Sequence, residues 1–173
     1  MTTQRPTPEE YFAYYGRYIS LVPEGDVVEI LAGQINETLT LLAPLTEAQA
    51  SFRYAAGKWS VKQVVGHMID VERIFAFRAL AISRGEQQPL PGFEQDDYVN
   101  QADFDRRALA DLLDEFTHLR HANVLMFRAM PPEAWGRVGV ASGHKISVRA
   151  LAYIMAGHEL YHRAILVERY LAV

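Results

Sequence analysis

Ser147-Val148-Arg149-Ala150-Leu151-Ala152-Tyr153-Ile154-Met155-Ala156-Gly157-His158-Glu159-Leu160-Tyr161-His162-Arg163-Ala164-Ile165 is the stretch on which the fold turns. Ser147 is a good N-cap, and Val148, Leu151, Ile154, Met155, Ile165 and Leu166 recur at helical spacing behind it. At about 100° per residue, with Leu151 at zero, Met155 falls near +40°, His158 near −20°, His162 near +20° and Ile165 near −40°. Two histidines therefore stand in the middle of the face this helix has to bury. One turn apart, with Cβ atoms roughly 6 Å from each other, both imidazoles can reach one metal ion. A single histidine on an apolar face is usually a satisfied core residue. Two side by side in a core each bring a polar nitrogen that costs free energy to bury.

Outward from this helix the same period recurs. Asp26 caps a helix carrying Val27, Ile30, Leu31, Ile35, Leu39 and Leu42, ended by Pro44. Ser60-Val61-Lys62-Gln63 is a capping box that opens a second helix with Val64, Val65, Met68, Val71, Phe75 and Ile82, running to Gly85. A third starts near Asp105 and carries Leu109, Leu112, Leu113, Phe116, Leu119, Val124 and Phe127 to Pro131-Pro132. Between the second and third, Glu86 to Gln101 holds two Pro, one Gly and an acidic-aromatic run, and reads as a long loop of the functional or mobile kind. Pro132 to Lys145 reads as a connection, and no segment alternates as a strand. Ahead of all four, Tyr11, Phe12, Tyr14, Tyr15 and Tyr18 suit one short amphipathic helix stopped by Pro23. Four helices, each with one apolar stripe, make an all-α four-helix bundle with a short extra N-terminal helix and long loops. It reads as a single domain over 1–173, with its core at about 26–172.

On the second helix, with Val64 at zero, His67 falls near −60°, about at the edge of the buried face. One nitrogen from this helix and two from the fourth would give three protein ligands and leave a coordination position open, as in catalytic rather than structural zinc sites. His118 and His121 share no apolar face and His144 sits in a Gly-containing loop, so none joins them. His158-Glu159-Leu160-Tyr161-His162 also fits the metalloprotease pattern of two His four apart with Glu after the first. The extended form of that pattern needs a Gly and a third His downstream. Position 165 is Ile and no His follows His162, which argues against a peptidase.

Composition narrows the chemistry. The 173 residues include six His and no Cys, with 17 Lys plus Arg against 21 Asp plus Glu. No thiolate zinc site, iron–sulfur cluster, disulfide or cysteine nucleophile is available. Half the residues are hydrophobic and 22 % charged, which is globular composition. A net charge of −4 argues against a general nucleic-acid partner. Met1 to Glu10 is polar, without the apolar region of a leader, and no stretch approaches the ~20 apolar residues of a membrane span. The expected location is cytoplasmic, with no membrane partner.

Lys58-Trp59-Ser60-Val61 followed by Gly66-His67-Met68-Ile69-Asp70, and Ile146-Ser147-Val148-Arg149-Ala150-Leu151 leading into Gly157-His158-Glu159 and His162, resemble the DinB/YfiT-like superfamily. The Leu90 to Tyr98 segment also resembles the loop these proteins carry between their second and third helices. The resemblance implies an up-down-down-up bundle, usually a homodimer, holding a divalent metal, often nickel or zinc, on three His. Carried over, those ligands are His67, His158 and His162. It further implies a metal-dependent transferase or isomerase that uses a low-molecular-weight thiol such as bacillithiol, mycothiol or glutathione on a small-molecule substrate. The alternatives are a non-catalytic, stress-associated metal-binding bundle and a metal-dependent hydrolase. A thiol brought in by a cofactor suits a chain without Cys, since a divalent cation deprotonates a thiol it binds. Trp59, Glu72, Tyr98, Arg149 and Glu159 are the pocket candidates, an Arg there suiting a cofactor carboxylate. Asp70, one turn from His67, is a candidate acceptor for its imidazole.

Overall fold

The caps act where the sequence places them. In the computed structural model, which describes residues 4–172, the Asp26 carboxylate accepts from the Val28 N–H at 2.9 Å. Ser60 and Gln63 cap each other reciprocally, with both bonds at 3.1 Å. Ser147 accepts from the Ala150 N–H at 3.0 Å. The elements are α1 (Gly16–Ile19), α2 (Val27–Leu42), α3 (Glu47–Ala50), α4 (Val61–Ser83), α5 (Gln95–Ala102), α6 (Leu109–Arg128), β1 (Val138–Ala141), β2 (His144–Ser147) and α7 (Val148–Ile165). Residues 1–3 and 173, which the polar N-terminal stretch and the single domain expected over 1–173 include, lie outside the described residues.

The long helices α2, α4, α6 and α7 form a four-helix bundle in which α2 and α4 each pack on both α6 and α7. Contacts across the bundle fix the directions. Gln34 Nε2 reaches the Ala156 carbonyl and Thr38 reaches Glu159, so α2 and α7 rise together. Ser60 bonds Asp105 and Glu72 bonds Arg120, so α4 and α6 run together. The Tyr170 hydroxyl meets the Trp59 carbonyl while His67 meets His158, which makes α4 antiparallel to α7. The order is up-down-down-up, and the parallel α4–α6 pair is the reason for the long crossover between them.

Three stretches differ from the sequence reading. Half of the expected loop 86–101 is helical: Asp96 and Asp97 occupy the first turn of α5, where acidic residues favour the helix dipole, and Val99 is buried. The third helix begins at Leu109, after a 3-10 turn over Phe104–Arg106. Within 132–145, β1 and β2 pair as an antiparallel hairpin, too short to show alternation. Its turn residues Ser142 and Gly143 both have positive φ, 52° and 78°, as a two-residue hairpin turn requires.

The apolar core falls into two clusters. One gathers Val27, Leu31, Phe75, Phe127, Leu151 and Ile154 with the N-terminal Tyr18, and the other Ile35, Leu42, Val65, Ile69, Leu112, Phe116 and Leu166. Between them every long helix contributes buried polar residues: Gln34 and Thr38, His67 and Glu72, Arg120 and Asn123, His158, Glu159 and His162. This polar waist is where the site sits.

Candidate metal centre

His67 on α4 and His158 and His162 on α7 converge at the waist, exposing 2 %, 6 % and 9 % of their surface. The Nε2 atom of His158 lies 3.1 Å from that of His67 and 3.1 Å from that of His162. One nitrogen from each residue lies within 4.8 Å of the others. A neutral Nε2 has a single in-plane bonding direction, so the His158 nitrogen serves at most one of its two neighbours as a hydrogen-bond partner. A divalent ion about 2.0–2.1 Å from each nitrogen sets adjacent nitrogens about 2.9 Å apart at octahedral angles and about 3.4 Å apart at tetrahedral ones. The two spacings from His158 lie between these values, and three neutral imidazole nitrogens are a donor set that suits such an ion.

The imidazoles are held in the neutral form that binds metal. Burial pushes His67 down to about 4 and, with the His67 ring adding to it, His162 down to about 3. Burial first, then His162 and His67, take His158 well below its ordinary value. Aromatic rings wall the cluster. Trp59 lies 4.8 Å from the His67 ring, Tyr18 lies 5.3 Å from His158, and Tyr161 lies 5.4 Å from His162, centroid to centroid.

Each of two ligand-bearing turns begins at a glycine that lets another segment touch the helix backbone. A Cβ on Gly157 would stand 2.0 Å from the Tyr18 carbonyl oxygen, and one on Gly66 would stand 2.4 Å from the Phe104 ring. The first of these close approaches is what brings Tyr18 onto His158.

Beside the histidines lies a charged network. Arg120, fully buried, donates Nε and Nη2 to the two oxygens of Glu72 at 2.8 and 2.6 Å and donates Nη1 to the Leu31 carbonyl at 3.0 Å. Arg120 Nη1 lies 2.7 Å from Glu159 Oε2. Asn123 Nδ2 donates to Glu72 at 3.1 Å and the Thr38 hydroxyl donates to Glu159 at 2.5 Å. Burial alone would lower the Arg120 pKa, but the carboxylates of Glu72 and Glu159 outweigh it and hold the guanidinium charged. A small cavity of about 10 Å³, lined by Met68, Glu72, His158 and Glu159 among others, separates the network from the histidines.

The other candidates from sequence divide accordingly. Trp59 and Glu72 lie at the site. Glu159 lies beside it but is turned toward Thr38 and Arg120, so it is not the free carboxylate a metalloprotease base would be. Asp70 makes no hydrogen bond to His67 among the described residues. Its charged surroundings are Arg73, Glu115 and Arg107, because it faces α6 rather than the bundle axis. Arg149 stands two and a half turns before His158 on α7 and pairs with Glu10 at 2.6 and 2.7 Å, fastening the N-terminal segment. Tyr98 is 47 % exposed and packs on Phe93 at the far end of α4. Neither Arg149 nor Tyr98 belongs to the histidine site. Sequence reasoning missed Tyr18, Thr38, Arg120 and Asn123. For Arg120 a signal existed, since Phe116, Arg120, Asn123 and Phe127 share one stripe of the third helix.

Among solved structures the chain is similar to YfiT from Bacillus subtilis, described as a probable metal-dependent hydrolase with an unusual four-helix bundle topology. That match has a TM-score of 0.73 and 16 % identity, and covers 98 % of this chain and 93 % of that one. It is also similar to a mycothiol-dependent maleylpyruvate isomerase, with a TM-score of 0.68, 12 % identity and coverage of 84 % of this chain and 61 % of that one. The DinB-like protein YjoA from Bacillus subtilis gives 0.59, 20 % identity and coverage of 82 % and 86 %. These likenesses show the shared fold. No relative among curated proteins matches the sequence. No helix of the described residues is long and apolar enough to cross a membrane. The family model of the DinB superfamily matches residues 30–166, from α2 through the last turn of the metal-centre helix, and the chain belongs to that superfamily.

Proposed function

We propose that His67, His158 and His162 hold one divalent metal ion, nickel or zinc, and that the chain is a metal-dependent enzyme joining a low-molecular-weight thiol to a small electrophile. The observation that carries the reading is the convergence of three buried, neutral imidazoles, with the His158 nitrogen 3.1 Å from those of His67 and His162 and all three within 4.8 Å of one another. Three neutral ligands leave the ion's charge undiminished, and when bound such an ion acidifies a thiol or water in contact with it. The chain's own groups do the rest. Burial keeps the imidazoles unprotonated, and Tyr18, Trp59 and Tyr161 exclude bulk water. The Glu72–Arg120–Glu159 network, with two carboxylates to one guanidinium, places a net negative charge beside the ion. With no Cys in the chain, the reactive sulfur arrives with the co-substrate, bacillithiol, mycothiol or glutathione in type. The isomerase neighbour, described as mycothiol-dependent, supports this class, and the hydrolase neighbour supports an activated water in its place. The reading includes a cytoplasmic homodimer.

A second reading rests on the low exposure of the three histidines: a bundle that binds metal without catalysis. The test is a panel of thiols with monochlorobimane on tag-free, metal-loaded protein. Thiol adduct that requires metal and disappears in His162→Ala supports the transferase. One bound ion per chain without adduct for any thiol supports the second reading, and metal-dependent ester cleavage without thiol supports the hydrolase.

A further inference from the structure

An imidazole that gives one nitrogen to a metal site needs a partner for the other. The Nε2 atom of His158 faces His67 and His162 at 3.1 Å. Its Nδ1 atom has no hydrogen-bond partner among the described residues, although the residue is only 6 % exposed. The hydroxyl of Tyr18, whose ring packs on His158, is shared with the Tyr14 hydroxyl at 3.5 Å instead.

Across the waist, acceptors have room to spare. Glu159 Oε1 takes the Thr38 hydroxyl, while Glu159 Oε2, 2.7 Å from Arg120 Nη1, is buried and accepts no aligned hydrogen bond. On Glu72, Oε1 accepts from both Arg120 and Asn123, whereas Oε2 accepts only from Arg120 Nη2 at 2.6 Å. A carboxylate oxygen has two lone pairs, so each of these Oε2 atoms can take one more donor. The three residues meet at one space, since Glu72, His158 and Glu159 are the polar lining of the cavity between the network and the histidines. Met68, Val71, Phe116 and Met155 close the rest of its wall. At about 10 Å³ it has the smallest size that holds one water, and it is too small for an organic ligand.

We propose that this cavity holds one water molecule, which accepts from the His158 Nδ1–H and donates to Glu72 and Glu159, and that the two carboxylates thereby act as positioning residues for a metal ligand. Three polar partners are the usual number for a buried water. The bond at Nδ1 fixes the tautomer in which His158 Nε2 keeps its lone pair, aimed where the three nitrogens converge. Two carboxylates behind the water make that lone pair the better donor. The positioning role rests on the metal reading, whereas the water and the tautomer are properties of the metal-free protein.

The test begins with long-range ¹H–¹⁵N NMR on metal-free protein. His158 is expected in the Nδ1–H form, with that proton in cross-relaxation contact with water. Two variants then connect the contact to metal affinity, read by competition with a chelating dye. Val71→Ile adds a methylene to the cavity wall and changes no charge, and Glu159→Gln keeps the size of the side chain and replaces an acceptor. In each, the water contact should be lost and nickel or zinc should bind about ten- to hundredfold more weakly. Val71→Ile separates the water from the bare charge of Glu159, and it serves alone should Glu159→Gln fail to fold. The Nε2–H form of His158 or no water contact at its Nδ1 proton in the wild type overturns the proposal. So does a variant that loses the contact and keeps its affinity, one that loses affinity and keeps the contact, or no change in either. Were the wild type to bind no metal, the functional reading would fall and the positioning role with it, while the tautomer and the water contact would still decide the water site.

Discussion

The two halves of the polar waist solve the same problem in opposite ways. Both place groups in the core that cost free energy when their polar atoms lack partners. In the Glu72–Arg120–Glu159 half the chain supplies its own partners, with Arg120 bonded to both Glu72 oxygens and 2.7 Å from Glu159, and with Thr38, Asn123 and the Leu31 carbonyl around them. In the histidine half, three imidazoles turn their nitrogens toward one point and remain neutral, with His158 facing two nitrogens it cannot both satisfy. The first half pairs its charges within the chain, and the second leaves the His158 nitrogen facing two others, the arrangement on which the proposed metal site rests. Buried charges that are paired hold a fold together, whereas buried groups that are preorganised and short of a partner mark a binding site.

The comparison breaks most sharply at Arg120. Arg120→Met leaves two carboxylates buried without their cation and should cost about 3–5 kcal/mol in urea unfolding. A loss below about 1 kcal/mol would show that the network is not the self-sufficient half. Next comes Gly157→Ala, which drives a Cβ into the Tyr18 carbonyl and should cost about 1–3 kcal/mol while displacing the ring from His158. Gly33→Ala is its control, because nothing lies within 4 Å of that added Cβ, and it should leave the melting temperature unchanged or raise it.

The partly exposed Glu10–Arg149 pair sharpens the contrast with the sealed network. Burial works to raise the Glu10 pKa, but the bonds from Arg149, Thr7 and Ser147 bring it from 4.5 down to about 2. A carboxylate lowered on folding contributes stability that is present above pH 4.5 and is lost as pH falls from 4.5 toward 2. The melting-temperature gap between wild type and Glu10→Gln, worth about 1–2 kcal/mol, should therefore be full at neutral pH and close across that window. A gap unchanged by acid would place the stabilisation elsewhere. The smallest effect on stability belongs to the histidine half. His67→Leu should leave the metal-free protein within about 1 kcal/mol of wild type, since it removes a polar group that the apoprotein does not satisfy, yet abolish stabilisation by added metal.

The helices were legible because each announces itself locally. Asp26, Ser60 and Ser147 cap where the apolar period begins, and those bonds form. The histidine cluster was legible for a related reason, since polar residues on an apolar stripe stand out against the period. Arg120 lies on such a stripe as well, but its meaning depends on Glu72 and Glu159 from two other helices, a relation that no single segment carries. Arg149 and Tyr98 were placed at the site on their residue types. The structure puts Arg149 in the first turn of α7 and Tyr98 in the crossover beside the C-terminal half of α4, because axial position in a bundle depends on helix length and direction rather than on side-chain chemistry. The hairpin and α5 escaped because four-residue strands and a one-sided eight-residue helix leave too short a pattern to read.

The central claim is that the histidine half awaits a metal ion. Tag-free protein, stripped and dialysed against nickel or zinc, can be assayed by elemental analysis together with X-ray absorption at the metal edge. The account predicts one ion per chain with three imidazole nitrogens at about 2.0–2.1 Å, and loss of the ion in His158→Ala. Substoichiometric metal in the wild type, or equal binding by the variant, would contradict it.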